Sequence, residues 1–499
     1  MPALQIGAIR AKPCWQLLGG LLDLLGTKIA WLSRVHCVRT VAFFVVLLPM
    51  QSPRAETAAD KGPPTGVPEQ SIATSLPAKG DPDGIRAALA GRGITFAINY
   101  GGEVFGVASG GIRRGSKYTG QLEGVVDVDL DKLAGWTGLT FHTNAFQLHG
   151  RGLSASHIGI FGPVSNFEAT PSTRLFELWF EQSLITDTLS VRFGQLRVDF
   201  DGEFLNAATA SIFTSNAFGW PNFIGANLPS GGVSYPFASP GVRVKVSPTD
   251  QLTLLAAVYN NDPAGPCDGD PQVCNNDGLK FRLRDNPFLI GEVQYKYGDN
   301  KTPGGLAGMA KVGGFADLGK FDDQRFGSDG LSLADPASNG IARRYHQNTG
   351  IYAVIDQQLY RPRNGKGDDD GVFVFGRVAG LPSDRNTIDF AFDAGVRVNG
   401  LVPGRPDDSF GFAYAYNRVS GHLAGLDRDL NALTGTPGPV RSSEAVAELT
   451  YKMQIKPGLI LQPDLQYVWR PGGNAPDPNQ PTKAVEDAWV WGLRSVVNY

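Results

Sequence analysis

Residues 488–499 read Ala488-Trp489-Val490-Trp491-Gly492-Leu493-Arg494-Ser495-Val496-Val497-Asn498-Tyr499. Trp489, Trp491, Leu493, Val497 and Tyr499 share one parity, while Arg494 and Asn498 fall on the other. A period of two belongs to a β-strand. Aromatic and aliphatic groups on one side, with a guanidinium and an amide on the other, suit a wall that has lipid outside and water inside. The stretch predicts a last transmembrane strand that closes an antiparallel β-barrel.

The same alternation recurs upstream. In Ile388–Val398 the even positions Ile388, Phe390, Phe392, Ala394, Val396 and Val398 are apolar, and Asp389, Asp393 and Arg397 lie between them. Leu459, Leu461, Leu465, Tyr467 and Trp469 oppose Gln462, Asp464, Gln466 and Arg470. Ala445, Ala447, Leu449, Tyr451 and Met453 alternate with Glu444, Glu448 and Lys452, and Leu122, Val126, Val128 and Leu130 with Gln121, Glu123, Asp127 and Asp129. Sixteen such segments are expected, near 94–105, 119–130, 139–149, 174–184, 188–198, 241–248, 251–260, 288–297, 309–318, 348–360, 372–380, 387–399, 409–419, 443–455, 459–470 and 488–499. A soluble two-sheet sandwich also alternates and is the competing architecture.

The connections favour the barrel. Short ones (131–138, 185–187, 248–250, 456–458) alternate with long ones (150–173, 199–240, 261–287, 319–347, 420–442, 471–487). Short periplasmic turns and long outer loops are what a barrel with both ends inside requires. Residues 361–371 and 400–408 are of middling length, and 381–386 is short where a long loop is due. No apolar run in the body of the chain approaches the roughly 18 residues of a membrane helix. Any crossing is therefore made by strands. Residues 91–499 are expected to form the barrel domain, with 56–90 as a periplasmic lead holding one short helix near Ile85–Ala90.

Residues 1–55 read as an export segment. Arg34 and Arg39 precede the apolar run Val41–Met50, and small or polar residues (Ser52, Pro53, Arg54, Ala55) follow, the order of a secretory signal peptide. Ala58 and Ala59 are alternative cleavage positions. The chain carries a formal charge of −3, and removing 1–55, with its six basic residues and one Asp, makes it more acidic. An acidic exported chain excludes nucleic acid as a partner. Cys267 and Cys274 are read as a local disulfide of an oxidising compartment. No His or further Cys stands near them to complete a zinc site, so neither metal nor cofactor is expected.

Sixteen strands leave an aqueous lumen, so the chemistry to seek is a pore lining. Inward positions carry acidic Glu177 and Glu181 and basic Arg192, Arg243 and Lys245, among others of both signs in near balance. A phosphate-selective pore presents a ring of cations instead. Balanced charge suits neutral solutes rich in hydroxyls. The third outer loop, 199–240, is unusually apolar for its place, with Phe204, Phe213, Phe218, Trp220, Phe223, Tyr235 and Phe237 interleaved with Asn206, Asn216, Asn222 and Asn227. Long apolar loops pack against something. Folded inward, this one would set a constriction in which Asn216, Phe218 and Trp220 offer ring faces beside amides, a mixture that suits sugars. Alternatively, its aromatics only wedge it against the wall.

Gly110-Gly111-Ile112-Arg113-Arg114-Gly115, Asp131-Lys132-Leu133 before Gly135-Trp136, and Pro171-Ser172-Thr173-Arg174-Leu175-Phe176-Glu177-Leu178-Trp179 resemble the carbohydrate-selective porin (OprB-type) family. So do Phe218-Gly219-Trp220-Pro221, Gly319-Lys320-Phe321-Asp322-Asp323-Gln324 and Gly404-Arg405-Pro406-Asp407-Asp408. The resemblance, which runs from about Gly84 to Tyr499, implies a sixteen-stranded Gram-negative outer-membrane barrel that admits glucose and related sugars by passive diffusion. It also implies charged residues at the constriction, matched here by Arg114, Glu177 and Arg243. The terminal aromatic resembles the signal read by barrel-assembly machinery. Mono- and oligosaccharides, outer-membrane lipid and lipopolysaccharide are the expected partners, and the assembly is a monomer or a homotrimer.

The rival classes are an outer-membrane barrel enzyme of lipase or protease type and a polysaccharide-anchoring barrel. His142, His149 and His157 are the enzyme's best candidates, but no nucleophile or paired-carboxylate motif accompanies them. No catalytic residue is expected.

Overall fold

The structure is a computed structural model, and it describes residues 66–499 apart from 69, 186–187, 200–201, 300–304, 363–369 and 436. The expected export segment 1–55 lies outside the described residues. Among the described residues twenty strands follow in order: β1 (Ile94–Gly111), β2 (Gly115–Asp129), β3 (Leu139–Gly150), β4 (Ser172–Ile185), β5 (Leu189–Leu196), β6 (Ser239–Val246), β7 (Leu252–Asn260), β8 (Pro287–Tyr297), β9 (Gly308–Asp317), β10 (Phe321–Gly327) and β11 (Ala342–Tyr345). Then come β12 (Asn348–Tyr360), β13 (Gly371–Gly380), β14 (Ile388–Asn399), β15 (Ser409–Val419), β16 (Ser443–Lys456), β17 (Leu459–Trp469), β18 (Pro476–Asp477), β19 (Gln480–Ala484) and β20 (Glu486–Asn498). Among the described residues, sixteen of them close one antiparallel barrel in the order β1–β9, β12–β17, β20. The remaining four form two small hairpins, β10–β11 and β18–β19, in outer loops.

Closure is made by β20 against β1, with Glu103 opposite Arg494 and Asn99 opposite Asn498. Ile98 and Tyr499 exchange both backbone hydrogen bonds, each at 2.9 Å, so pairing reaches the final residue. The parity of 488–499 holds along the strand. Trp489, Trp491 and Leu493 are exposed on the outer face, while Ala488, Val490 and Arg494 are buried inside.

Strand positions agree with the alternation except where side chains cannot signal it. β1 and β2 run on to a three-residue connection, 112–114, although alternation fades after 105 and resumes only near 119. Gly106, Gly110 and Gly111 carry no side chain to mark a face. Gly106 is needed there because a Cβ would lie 2.6 Å from the Trp491 ring. A bulge between Ile388 and Phe390 turns Ile388 inward, where it is fully buried, although its parity reads as lipid-facing. A second bulge, at Phe176 of β4 opposite the Asn144–Ala145 step of β3, shifts parity there and puts Phe176 into an internal cluster with Phe146. The long outer loops 319–347, 420–442 and 471–487 carry structure that alternation does not reveal: β10–β11, the helix Gly421–Thr434 and β18–β19.

The lead braces the closing seam. A helix spans Ile85–Gly91, and its Arg86 donates to the carbonyls of Gly66 (2.9 Å) and Phe96 (2.7 Å). The same guanidinium stacks over the rings of Phe96 and Tyr499, and the Tyr499 hydroxyl donates to the Gly80 carbonyl at 2.8 Å. Tyr499 is thus covered by the lead. Two hydrogen bonds and two cation–π contacts, less the desolvation of the guanidinium, leave a net contribution of about 2 kcal/mol. Arg86→Ala should therefore lower the temperature at which the folded barrel converts to its slower heat-denatured form on gels. An unchanged transition would show that the lead does not brace the seam.

Candidate functional site: the inner wall and the loops folded onto it

A hollow barrel of this size presents buried strand side chains to whatever enters it. Here the connection between β5 and β6 (197–238) enters and docks on one strand after another. Gln294 (β8) and Lys311 (β9) donate to the Gly202 carbonyl, and Lys311 also to that of Asn206. Glu292 (β8) accepts from the Leu205 amide at 2.9 Å, Asp356 (β12) from Thr209, and Gln462 (β17) donates to the Ile212 carbonyl at 2.7 Å. Glu448 (β16) accepts from the amides of Thr214 and Ser215. Asn227 bonds the backbone of Thr387 and Ile388 at the head of β14. The path crosses the lumen from β5 to β17.

Arg377 (β13) is the centre of this anchorage. It is buried, pairs with Asp393 of β14 through two contacts of 2.9 and 3.0 Å, and donates to the carbonyls of Leu205, Ala217, Phe218 and Gly219. A buried guanidinium is tolerable only when its donors are used. The loop's carbonyls complete the set, and the aromatics Phe204, Phe213, Phe218, Trp220 and Phe223 pack in the same cluster as Phe375, Tyr352 and Phe288 of the wall.

The connection between β3 and β4 also folds in. Glu444 (β16) accepts from the Phe161 amide at 3.0 Å, and Gln466 (β17) donates to the Val164 carbonyl at 2.8 Å. Arg494 of the closing strand pairs with Glu103 at 2.8 Å, donates to the Asn166 side chain at 2.8 Å and stacks on Phe167 at 4.0 Å. The two loops join each other through Asn166 N to Thr214 O (2.8 Å) and Asn216 N to Pro163 O (2.9 Å).

The structure unites part of the expected set. Arg243 contacts Glu181 at 3.0 Å and Glu203 at 2.9 Å, and Arg192 contacts Glu181 at 2.8 Å, so two cations and two anions neutralise each other on the inner wall. Glu177 is beside Arg197 at 3.2 Å. Trp179 sits between Arg192, at 4.4 Å from its ring, and His142, stacked at 4.7 Å. Lys245 is half-buried on the same face of β6 as Arg243. Arg114 is exposed on the connection between β1 and β2, apart from this group. Phe218 is buried against Phe213, at 5.1 Å between ring centres. Trp220 is buried with its indole N–H donating to the Gly231 carbonyl, and the Asn216 amide donates to the Trp220 carbonyl. Arg470, expected inside, is exposed just past the end of β17 in a left-handed conformation. Glu103, Arg197, Glu203, Glu292, Lys311 and Arg377 are lumenal residues that the sequence reading left out. Alternation along 372–380 could have found Arg377, but Glu203 lies in a loop and Arg197 just beyond the end of β5.

Between the two inward loops and residues 270–272 lies a polar pocket of about 210 Å³. Phe161, Trp220 and Phe237 face it together with Asn166, Asn216 and Asn222. Both polar atoms of the buried Asn222 amide lack a protein partner. Burial pushes the carboxyl of Glu168, at the same pocket, above its ordinary range, although Ser154 donates to it twice. Cys267 and Cys274 are joined in a disulfide in the neighbouring outer loop. The three histidines are separated: His142 bonds Asp127 at 2.6 Å, His149 bonds Gln147, and His157 bonds Ser156.

A closed sixteen-stranded barrel, apolar outside, charged and loop-filled within, is a channel of a Gram-negative outer membrane. Residues 113–499 match the model of the carbohydrate-selective porin, OprB family, and the chain belongs to that family. It is 25% identical over 439 residues to porin B of Pseudomonas aeruginosa, a match covering 83% of this chain and 89% of that one. The high-pH structure of Pseudomonas putida OprB shares the fold, with a TM-score of 0.73, 23% identity, and coverage of 84% of this chain and 97% of that one. The protein is an outer-membrane sugar porin.

Arg377→Ala should leave Asp393 buried without its cation and four loop carbonyls without a donor, a loss of about 3–5 kcal/mol. Single-channel recording should then show a larger and noisier conductance as the loop leaves the wall. Wild-type conductance and noise would show that Arg377 does not hold it.

Proposed function

We propose that the channel passes glucose and related mono- and oligosaccharides without chemical conversion, and that its selectivity resides in the paired lining and the polar pocket between the inward loops. The observation that carries this reading is the mutual neutralisation of Glu181, Arg192, Glu203 and Arg243. A lining paired in this way exerts little net pull on an ion, yet its oxygens and N–H groups remain able to exchange hydrogen bonds with hydroxyls. The pocket supports it further. Ring faces of Phe161, Trp220 and Phe237 suit the C–H faces of a pyranose, and the unpartnered Asn222 amide offers one donor and one acceptor to its hydroxyls. The separation of His142, His149 and His157, each with a different partner, favours a channel over a hydrolase. Closure by a strand ending in an aromatic residue is in keeping with recognition by the assembly machinery during insertion.

In planar bilayers the purified protein should conduct, and added glucose or maltose should reduce the current in a saturable way. Current insensitive to sugar would remove the reading. Asn222→Ala should weaken glucose block severalfold, on the order of one hydrogen bond, with the unblocked conductance kept. If the conductance falls and the block does not, the pocket only shapes the loop.

A further inference from the structure

The connection between β7 and β8 (261–286) closes the polar pocket from the outer side. Its Cys267–Cys274 disulfide spans only seven residue steps and so ties off a tight turn. Three residues of that turn, Asp270, Pro271 and Gln272, line the pocket. The Asp270 carboxylate caps the short helix Pro271–Cys274 by accepting from the Gln272 amide at 2.9 Å. Its other oxygen accepts from the Thr170 hydroxyl at 2.9 Å, and the Gln272 side-chain carbonyl accepts from the Thr170 amide at 2.7 Å. Thr170 belongs to the inward connection between β3 and β4, so the turn is fastened to one wall of the pocket. The other wall is reached too: Asp262 accepts at 2.6 Å from the hydroxyl of Ser230, a pocket residue of the connection between β5 and β6. Behind the turn, Arg174 of β4 donates to the Asn275 carbonyl at 2.6 Å, and the Asn275 side chain donates to the Pro263 carbonyl at 2.9 Å.

These fastenings hold residues that have little packing of their own. The helix Pro271–Cys274 buries none of its residues, and Asp268, Asp270 and Val273 are exposed. Four residues are too few to keep a helical turn in water. The cross-link supplies the constraint instead, by removing most of the conformations open to the free segment. Asp270 and Gln272 therefore stand at fixed positions between the pocket and the medium. A pocket of about 210 Å³ is smaller than the roughly 300–1,000 Å³ that encloses a drug-sized ligand. It suits one sugar unit. With the cross-linked turn across its outer side, a second unit has no exit in that direction.

We propose that the cross-linked turn Cys267–Cys274 is a fixed roof that makes the pocket selective for a single sugar unit, with Asp270 and Gln272 as the selecting residues. A longer chain can insert only its end unit, and its further units add no contacts inside. The roof is polar as well as rigid. The Asp270 carboxylate keeps acceptor capacity beyond its two bonds, and the Gln272 amide carries two N–H donors, so both can bond hydroxyls. The inference rests on the pocket being the sugar site, and it specifies which sugars fit there.

The test compares block of the bilayer current by glucose, maltose and maltotriose in wild type and in Cys267→Ser/Cys274→Ser. In wild type the block should differ little from one sugar to the next. In the double variant it should strengthen severalfold with each added unit, on the order of one hydrogen bond. Gln272→Ala keeps the disulfide and should shift the trend in the same direction, so a poorly assembling double variant does not stop the test. A second readout needs no sugar. Asn222→Cys places a thiol inside the pocket, with and without the cross-link. Its reaction with a bulky methanethiosulfonate added from the outer side should quicken about tenfold without the cross-link, because entry no longer waits on a local opening. Block that strengthens with chain length in wild type, or one trend shared by wild type and both variants, would overturn the proposal. So would equal labelling rates with and without the cross-link. If no sugar blocks and labelling still quickens, the sugar reading falls and the roof stands as a size barrier alone.

Discussion

A peptide group in hydrocarbon has no water to bond with, so each strand must find a partner on both sides. That requirement dictates closure, and closure dictates the rest. β1 and β20 lie at opposite ends of the chain, and their pairing must hold without a connecting turn. The lead before β1 bears on this junction through Arg86 and Gly80, which meet Phe96 and Tyr499 where the wall has no covalent continuity. The N-terminal segment therefore acts as an external clasp over the one seam that sequence proximity does not stabilise.

A closed wall of sixteen strands encloses more volume than side chains can fill. The lumen is filled instead by backbone. Two inward loops supply amides and carbonyls to wall residues that would otherwise be buried acids and bases without partners. Glu448 and Glu444 take loop amides, and Arg377 and Lys311 take loop carbonyls. The wall's charges thus hold the loops, and the loops satisfy the wall's donors and acceptors. Around Glu181, Arg192, Glu203 and Arg243 the charges are already matched, and on the proposed reading such a surface suits hydroxyl-rich neutral molecules better than ions.

Strand number, order and facing were legible because lipid and water impose opposite demands on alternate residues, and the closing strand states that contrast most plainly. The failures have local causes. Glycines at 106, 110 and 111 leave no face to read, and a bulge at Ile388 reverses parity without a residue signature. For the candidate site, Glu181, Arg192 and Arg243 were legible as inward positions on neighbouring strands. Arg114 was carried by motif likeness alone, and the structure places it on a rim connection. The anchorage of Arg377 was not legible, since four of its acceptors are carbonyls and a carbonyl leaves no mark on the sequence. Trp220 was legible as a loop aromatic, but its burial and its bond to Gly231 depend on the loop's own packing.

The attachment of one loop to β8, β9, β12, β13, β14, β16 and β17 also has a mechanical meaning. A thin hollow cylinder resists stretching along its wall but flattens readily under sideways load. Cross-members tied to many points of the circumference remove that weakness, because ovalising the ring would pull some ties apart while compressing others. The segment from Gly202 to Asn227 is such a set of spokes. Lateral pressure in a crowded membrane is then carried through the same hydrogen bonds that shape the passage, so the roundness of the tube and the size of its opening are held by one set of contacts.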